Sequence, residues 1–598
     1  MPVDYQQQNL AIQLTTPFGP NKLLVRNFHG EERISGPFHY RIEMFSEDPS
    51  LAFDTIVGKA ITLQIAQSSG DTHCINGIVG MFAQTGSDGR LVFYTADVYP
   101  WLWLLTFSSG CKIYQNMSTP DIVKKVFGDL GFSDFQDKLT GSYQPREYCV
   151  QYRETAFTFV SRLLEQEGIF YFFTHDSSSH KLVLADDASA WPATQGLSKA
   201  RFTVDETAWT ADDIVSRLTS EQHVVTGQFR CDDYNFETPE TDLLAAADGA
   251  DTSRSVYDFP GLYGTQSAGE SVASLRLTAL EVNKAKIGGD SLCRAFYAGS
   301  KFTLSGHFRP NTNGDYVIDS LNVQGSPDHY SNSFAAFPAA ASFRPPLRTA
   351  APVIPGTQVA VVVGKSGEEI WTDQYGRVKV QFFWDQDGKY DETSSCWIRV
   401  SQPWAGKQWG GIFLPRIGQE VIVGFLDGNP DRPVVTGTLY NASQTVPYAL
   451  PDAQTRSSIK SSSSKGGSGF NEIRIEDKAG SEELFLQAQK DMNVTVLNNY
   501  TSTVTKDFSL KVSGNITIEA SGTVSIKAGS TFANEAGTEL TNKSGTSLTN
   551  QAGAELTNKS GTSLTNNAGT TMTNQASASQ TVDGGGLLAL KAGLVKVN

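Results

Sequence analysis

At 598 residues the chain is too long for one ordinary domain and implies roughly three to five. Hydrophobic residues at 39% and aromatics at 11% suffice for sizeable cores, and abundant Gly with many Thr, Ser and Val favours β structure. The net charge of −15 speaks against a nucleic-acid binder, which needs a basic face, and against adsorption to an anionic bilayer.

The first twenty residues, MPVDYQQQNLAIQLTTPFGP, have no basic start and no continuous apolar run, so they do not read as a secretory signal. No stretch of eighteen apolar residues occurs, and no membrane span is expected. WLWLL at 101–105 is too short for one and reads as a core strand or a buried turn. Cys74, Cys111, Cys149, Cys231, Cys293 and Cys396 form no CxxC pair and no cluster with His, the pattern of reduced, buried thiols in a cytosolic product.

In chain order, HYRIEMFS (39–46), AITLQIAQ (60–67) and LVFYTADVYP (91–100) alternate apolar and polar residues as half-buried strands do. A helix is expected at 119–129, with Thr119 as cap and Pro120 at its first position. A second is expected near 155–166, started by Thr155 and stopped by Gly168, before a strand in IFYFFTH. Residues 1–350 thus read as an α+β base with β-barrel character. A Pro/Ala-rich boundary falls around 335–356. At 357–447, TQVAVVVG, GRVKVQFFW, SCWIRVSQ, GIFLPRIG, EVIVGFLDG and PVVTGTLY are strand-like runs, mostly parted by Gly-containing turns, and suggest a small barrel. A neck at 451–490 contains a Ser/Gly-rich, flexible or extended linker at 455–470.

Residues 491–598 change character. No Pro follows Pro451, no Cys follows Cys396, no Trp follows Trp409 and no His follows His329. Apolar residues recur every eighth position, at Ile516, Val524, Phe532, Leu540, Leu548, Leu556, Leu564 and Met572. Gly and Asn recur in the same period. Eight suits a short strand plus a turn better than a helix: Thr538, Leu540 and Asn542 share one face, and Lys543-Ser544-Gly545 turns the chain. One inward Leu per octad, at about 25 cal/mol per Å2, cannot offset roughly 1–2 kcal/mol of backbone ordering per residue. The unbroken register argues against disorder, and a single-chain solenoid is disfavoured. Three chains wound about one axis would join Leu to Leu, with those eight residues as the needle core, and stack Asn and Thr into ladders.

At this point WTDQYGRVKVQFFWDQDGK (371–389), the run from Ser395 to Asn441, RSSIKSSSSKGGSGFNEIRIEDKAGSEELFLQAQKDMNV (456–494) and YRETAFTFVSRLLEQEGIFYFF (152–173) resemble the VgrG family of bacterial type VI secretion. The resemblance implies a mainly β fold: phage-hub-like β-barrel domains with a few helices, an OB-fold, and a C-terminal triple-stranded intertwined β-prism in a homotrimer. It implies a membrane-puncturing spike that caps a tube of Hcp rings, carries effectors or their adaptor chaperones, meets baseplate components and breaches a target-cell envelope. A PAAR-repeat partner would sit on the tip, at Leu588, Leu590, Val595 and Val597. The protein would be cytoplasmic before firing and then secreted without a signal peptide. Some relatives carry a catalytic domain after the needle, and phage needles can carry a lysozyme before it; here LLALKAGLVKVN follows the repeats directly and only about fifteen residues part barrel from needle, so neither is expected.

No catalytic, cofactor or metal site is expected. His175 and His180 flank a Ser run that reads as a loop, and the eight His lack ligand spacing. Asp385, Asp387, Asp391 and Glu392 read as solvated turn acids. Neither a GxSxG elbow nor a P-loop occurs, and SSKGGSG (463–469) reads as a collar between barrel and needle. Trp371, Trp384, Trp397, Trp404 and Trp409, with Arg377, Lys379, Arg399, Lys407 and Arg416 among them, could stack bases, but packing within the barrel and against neighbouring subunits is the better reading. The alternatives are a phage-type baseplate spike and a spike with an unrecognised effector activity such as cell-wall hydrolysis. An adhesin would need an export signal and an anchor.

Overall fold

The computed structural model describes residues 6–197, 199–205 and 213–597. It divides into two units, Met1–Asn493 and Val494–Asn598. The first is organised on a twelve-stranded sheet. One half runs Ile12–Thr15, Ala60–Ala66, Thr72–Ser87, Val92–Tyr99, His39–Ser46 and Leu24–Arg33, antiparallel throughout. Alternation dictates which residues face inward: Tyr40, Ile42 and Met44 are buried while His39, Arg41 and Glu43 are not. The other half runs Gly314–Ser326, Lys301–Ser305, Lys199–Phe202, Ile214–Gln222, Ala285–Ser291 and His329–Pro338. Its last strand pairs back on its first, closing a six-stranded barrel, and the halves join where Gly314–Ser326 pairs with Leu24–Arg33. Phe28, Phe38 and Tyr94 fill one core; Phe296, Phe302 and Phe334 fill the other. Buried Glu32 ties them, accepting from the Tyr40 hydroxyl (2.5 Å) and the Ala298 N–H (2.9 Å), and burial pushes its pKa up.

Among the described residues, three α-helices brace this base. Helix α1 spans Thr119–Asp129, but its cap is Ser118, whose Oγ accepts from the Asp121 N–H (3.3 Å). Thr119 is buried instead: its hydroxyl donates to Glu167 and accepts from Arg146. Helix α2 spans Ala156–Glu167, capped by Thr155 and closed by Gly168 at φ 68°. Helix α3, Gln266–Glu281, was not expected. It buries Gly269, Ala273 and Leu277 against a small sheet of Ala245–Asp248, Gln228–Cys231 and Ser255–Asp258, and so small a set of apolar residues makes no visible stripe in the sequence.

Other sequence expectations are corrected in detail. Residues 101–105 lie in a 3-10 helix, Trp101–Phe107, and are not a strand. The Pro/Ala boundary is irregular only after Pro338, since its first residues complete a strand. The Ser run between His175 and His180 is a loop as expected, and it closes a hairpin of Phe170–His175 and His180–Ala185 across which the two His face each other. The Trp101 N–H donates to His180 Nε2 (2.8 Å), so Nδ1 carries the proton toward Asn76 Oδ1 (2.9 Å). Burial holds this imidazole down to about 4. The intervening turn is set by Asp176, which accepts from the N–H groups of Ser178 and Ser179 and is held at about 2 by those bonds.

Candidate functional site

The middle block is a five-stranded sheet in the order Lys379–Phe382, Gln358–Val363, Glu420–Phe425, Pro433–Leu439 and Arg399–Val400. Val362, Val380, Phe382, Ile398, Val421, Val423 and Val435 fill its centre. GIFLPRIG adds no strand to this sheet, and past Gly411 it is irregular: Pro415 lacks an N–H, and Ile412 and Phe413 are exposed.

Polar contacts seat this barrel on the base. Asp431 accepts from the Val150 N–H (2.7 Å), and desolvation raises its pKa against the pull of Arg162. Gln358 bridges Tyr152 of the base and Trp384 of the barrel, both at 2.7 Å. Lys112 joins Asp129 of α1 (2.9 Å) to Asp387 (3.2 Å). Beneath these contacts Arg162 of α2 is clamped on Glu154 at 2.8–3.1 Å, and both side chains are buried. Asp391 caps its own turn through Thr393, and Asp385 contacts Gln381. Among the described residues no group of three or more His, Cys, Asp or Glu could hold a metal ion, and no helix is long and apolar enough to cross a membrane.

The neck is more regular than its composition suggests. Arg456–Lys460, Glu472–Glu476 and Glu483–Gln487 form an antiparallel three-stranded sheet. One face is complete within the chain. Tyr448 lies under Arg456 (4.7 Å) and Lys460 (5.2 Å) and bonds Glu472, while Arg474 stacks on Phe485 (4.1 Å) and pairs with Glu483 (2.7 Å). The opposite face carries Ile459, Ile473, Ile475, Leu484 and Leu486 as cross-strand neighbours, each 45–68% exposed. Five apolar side chains on one short, unpartnered sheet face lack a core to join. The collar loop is tied to the barrel by Lys465–Glu368 (2.8 Å), by the Gly466 N–H on Glu369 (2.6 Å) and by Arg416 on the Ser462 carbonyl (2.9 Å).

In the second unit, none of the described residues 494–597 lies in a hydrogen-bonded strand, and every one is exposed. An isolated octad supplies no cross-strand partner. The local conformation nevertheless repeats. Ile516, Val524, Phe532, Leu540, Leu548, Leu556 and Leu564 all expose 55–60%, and Met572 48%. Ser544 accepts from the N–H groups of Thr546 and Ser547, and Ser560 repeats this sixteen residues on at Thr562 and Ser563. The octads stop at a turn in which Asp583 accepts from the Gly585 N–H (2.8 Å) and Gly585 takes φ 57°. Beyond it Leu588, Leu590, Val595 and Val597 are 49–85% exposed. The neck's apolar face was the feature sequence reasoning missed; its signal is the alternation in EIRIE and ELFLQ.

Three family models match along the chain: the phage tail baseplate hub (GPD) at residues 31–329, the type VI secretion system/phage-baseplate injector OB domain at 361–440, and the bacteriophage T4 gp5 C-terminal trimerisation domain at 457–577. The chain is 42% identical over 512 residues to the type VI secretion system spike protein VgrG1b of Pseudomonas aeruginosa, covering 83% of this chain and 69% of that one. The chain belongs to the VgrG family of type VI secretion spike proteins. VgrG1a of the same organism is 41% identical over 510 residues, 82% of this chain and 79% of its own length. A Vibrio cholerae VgrG named as an actin cross-linking toxin is 34% identical over 507 residues, but only 46% of its length takes part. Among solved structures, an E. coli type VI secretion component described as similar to the T4 tail proteins gp27 and gp5 superposes with a TM-score of 0.52 at 23% identity, over 70% of this chain and 97% of its own. A chain of the Francisella PdpA–VgrG complex gives 0.54 at 10% identity, over 81% and 88%. The mainly β, phage-hub-like fold of a VgrG protein is therefore the fold of this chain.

Proposed function

We propose that three copies of this chain form the puncturing spike of a type VI secretion system, with residues 1–350 as base, 357–447 as OB barrel, 451–490 as neck and 491–598 as needle. The observation that carries the reading is the unpartnered apolar set in a single chain: five neck residues on one sheet face and eight octad residues at one spacing. Three copies about one axis bury both sets and give each extended segment a backbone partner. The match of 457–577 to a trimerisation domain supports the same stoichiometry.

In this reading the needle core is Ile516, Val524, Phe532, Leu540, Leu548, Leu556, Leu564 and Met572, and the tip that takes a PAAR-repeat protein is Leu588, Leu590, Val595 and Val597. Three bases, each with two six-strand halves, give six such halves in the trimer, a number that suits docking on a hexameric Hcp ring. The spike carries effectors, through adaptors or directly, waits in the cytoplasm and leaves with the contraction event. It works by shape and stiffness and not by turnover; the buried Arg162–Glu154 pair and the Asp431 contact hold barrel to base. The test is complementation in a secreting strain deleted for the chain. Wild type restores release of the Hcp tube to the medium, and a Leu548→Asp/Leu556→Asp variant does not. Normal release with the double variant would refute the needle reading.

A further inference from the structure

Residues 404–413 form a small, exposed projection from the barrel. Trp404–Gly406 and Trp409–Gly411 pair as an antiparallel hairpin, and the two indoles meet edge to face with 5.1 Å between ring centroids. The backbone is shaped around them. A Cβ on Gly406 would lie 2.3 Å from the Trp409 ring, and Gly410, at φ 134°, approaches the Trp404 carbonyl so closely that a Cβ would lie 2.4 Å from it. The Gln402 side chain clamps the base of the hairpin, accepting from the Phe413 N–H (2.8 Å) and donating to the Phe413 carbonyl (3.2 Å). Of the five barrel tryptophans, Trp371 and Trp397 stack on each other and Trp384 packs on Phe382. Trp404 and Trp409 point out, 66% and 58% exposed, with Ile412 and Phe413 beside them at 70% and 56%. Four large apolar side chains on a preorganised hairpin with Lys407 as its only charge have the composition of an interface centre.

The occupant follows from where the hairpin ends. From Phe413 the chain runs through Leu414 and Pro415 to Arg416, whose guanidinium holds the Ser462 carbonyl at 2.9 Å. Three residues of extended chain span at most about 10 Å. Ser462 lies inside the segment matched by the trimerisation domain, and that segment carries the open apolar face of the neck. The hairpin thus adjoins the segment whose open apolar face the trimeric reading places between copies.

We propose that the 404–413 hairpin is a clasp between copies, each chain seating Trp404, Trp409, Ile412 and Phe413 on a second copy at the level of the barrel, outside the octad needle. The inference rests on the trimeric reading and adds a contact to it. The test uses the full-length chain, with its mass measured in the same sample. Hydroxyl-radical footprinting read by mass spectrometry compares Trp404 and Trp409 in the native assembly with the same residues in denaturant. Packing to the density of a protein interior shields both indoles, so their oxidation in the native assembly falls far below that in the unfolded chain. In addition, Trp404→Ser/Trp409→Ser lowers the denaturant concentration at which the assembly dissociates. A trimer whose two indoles react as freely as in the unfolded chain overturns the clasp and leaves the needle standing. So does protection that develops only on adding phosphatidylglycerol vesicles, which would assign the hairpin to a bilayer. A monomeric mass overturns both readings.

Discussion

Replacing Leu548 and Leu556 by Asp strikes two successive tiers of the proposed axis. In the single chain these leucines are 60% and 59% exposed. Fully burying a leucine contributes roughly 1.5–3 kcal/mol, so covering the remainder contributes about 1–2 kcal/mol each. A tier of three therefore loses about 3–6 kcal/mol when a residue with no gain from burial takes its place. Three carboxylates then converge on the axis, each costing several kcal/mol to enclose charged. Two such tiers cost on the order of 20 kcal/mol per trimer, more than the roughly 12 kcal/mol of a nanomolar association. The variant dissociates at any practical concentration, whereas Leu548→Met/Leu556→Met, close in volume and still apolar, stays assembled. Light scattering after size exclusion reads both, and partial reassembly near pH 3, where the carboxyls are neutral, separates charge from packing. A double-Asp variant that keeps the wild-type mass and resistance to denaturant would show that the octad leucines do not face one another.

Three further outcomes are expected. Deleting Thr546–Gly553 removes one whole octad and leaves a shorter assembly of native stoichiometry, while deleting 546–549 puts the leucines out of phase and lowers the mass by light scattering. Arg162→Met strands the buried Glu154 and destabilises the base by about 3–5 kcal/mol, seen as a fall in Tm; adding Glu154→Leu recovers most of it. His180 is neutral in the fold down to about 4, against 6.5 when free. The unfolded chain therefore protonates first: the contribution of this one group is fully present above pH 6.5, falls by up to about 3 kcal/mol as pH drops to 4, and levels below, while burial makes His73 and His175 add losses of the same sign. His180→Asn is less stable at neutral pH but loses about 2–3 kcal/mol less between pH 7 and 4, by chemical denaturation.

Much of this was legible because it is local. The Thr155 cap and the αL Gly168 mark α2 to within a residue, and the alternation of 39–46 fixes which side chains face the core. The Ser118 cap was missed because both neighbours can cap, and only the fold shows that Arg146 and Glu167 engage the Thr119 hydroxyl. Helix α3 escaped because its packing face is made of small residues. The Ser run after His175 was legible as a loop, but that it closes a hairpin and sets His175 opposite His180 shows only once the strands pair. The octad spacing points to an axis by itself. The neck face and the Trp404–Trp409 hairpin do not, since an exposed apolar residue carries meaning only when its neighbours are seen to be exposed with it.

The most direct measurement is the absolute mass of the purified full-length chain by light scattering at micromolar concentration. The chain is 64.9 kDa. Three times that value is the expected result and places the neck face and the octad row between copies. A mass of one chain, with the octads still exposed, would contradict the trimeric spike at its foundation.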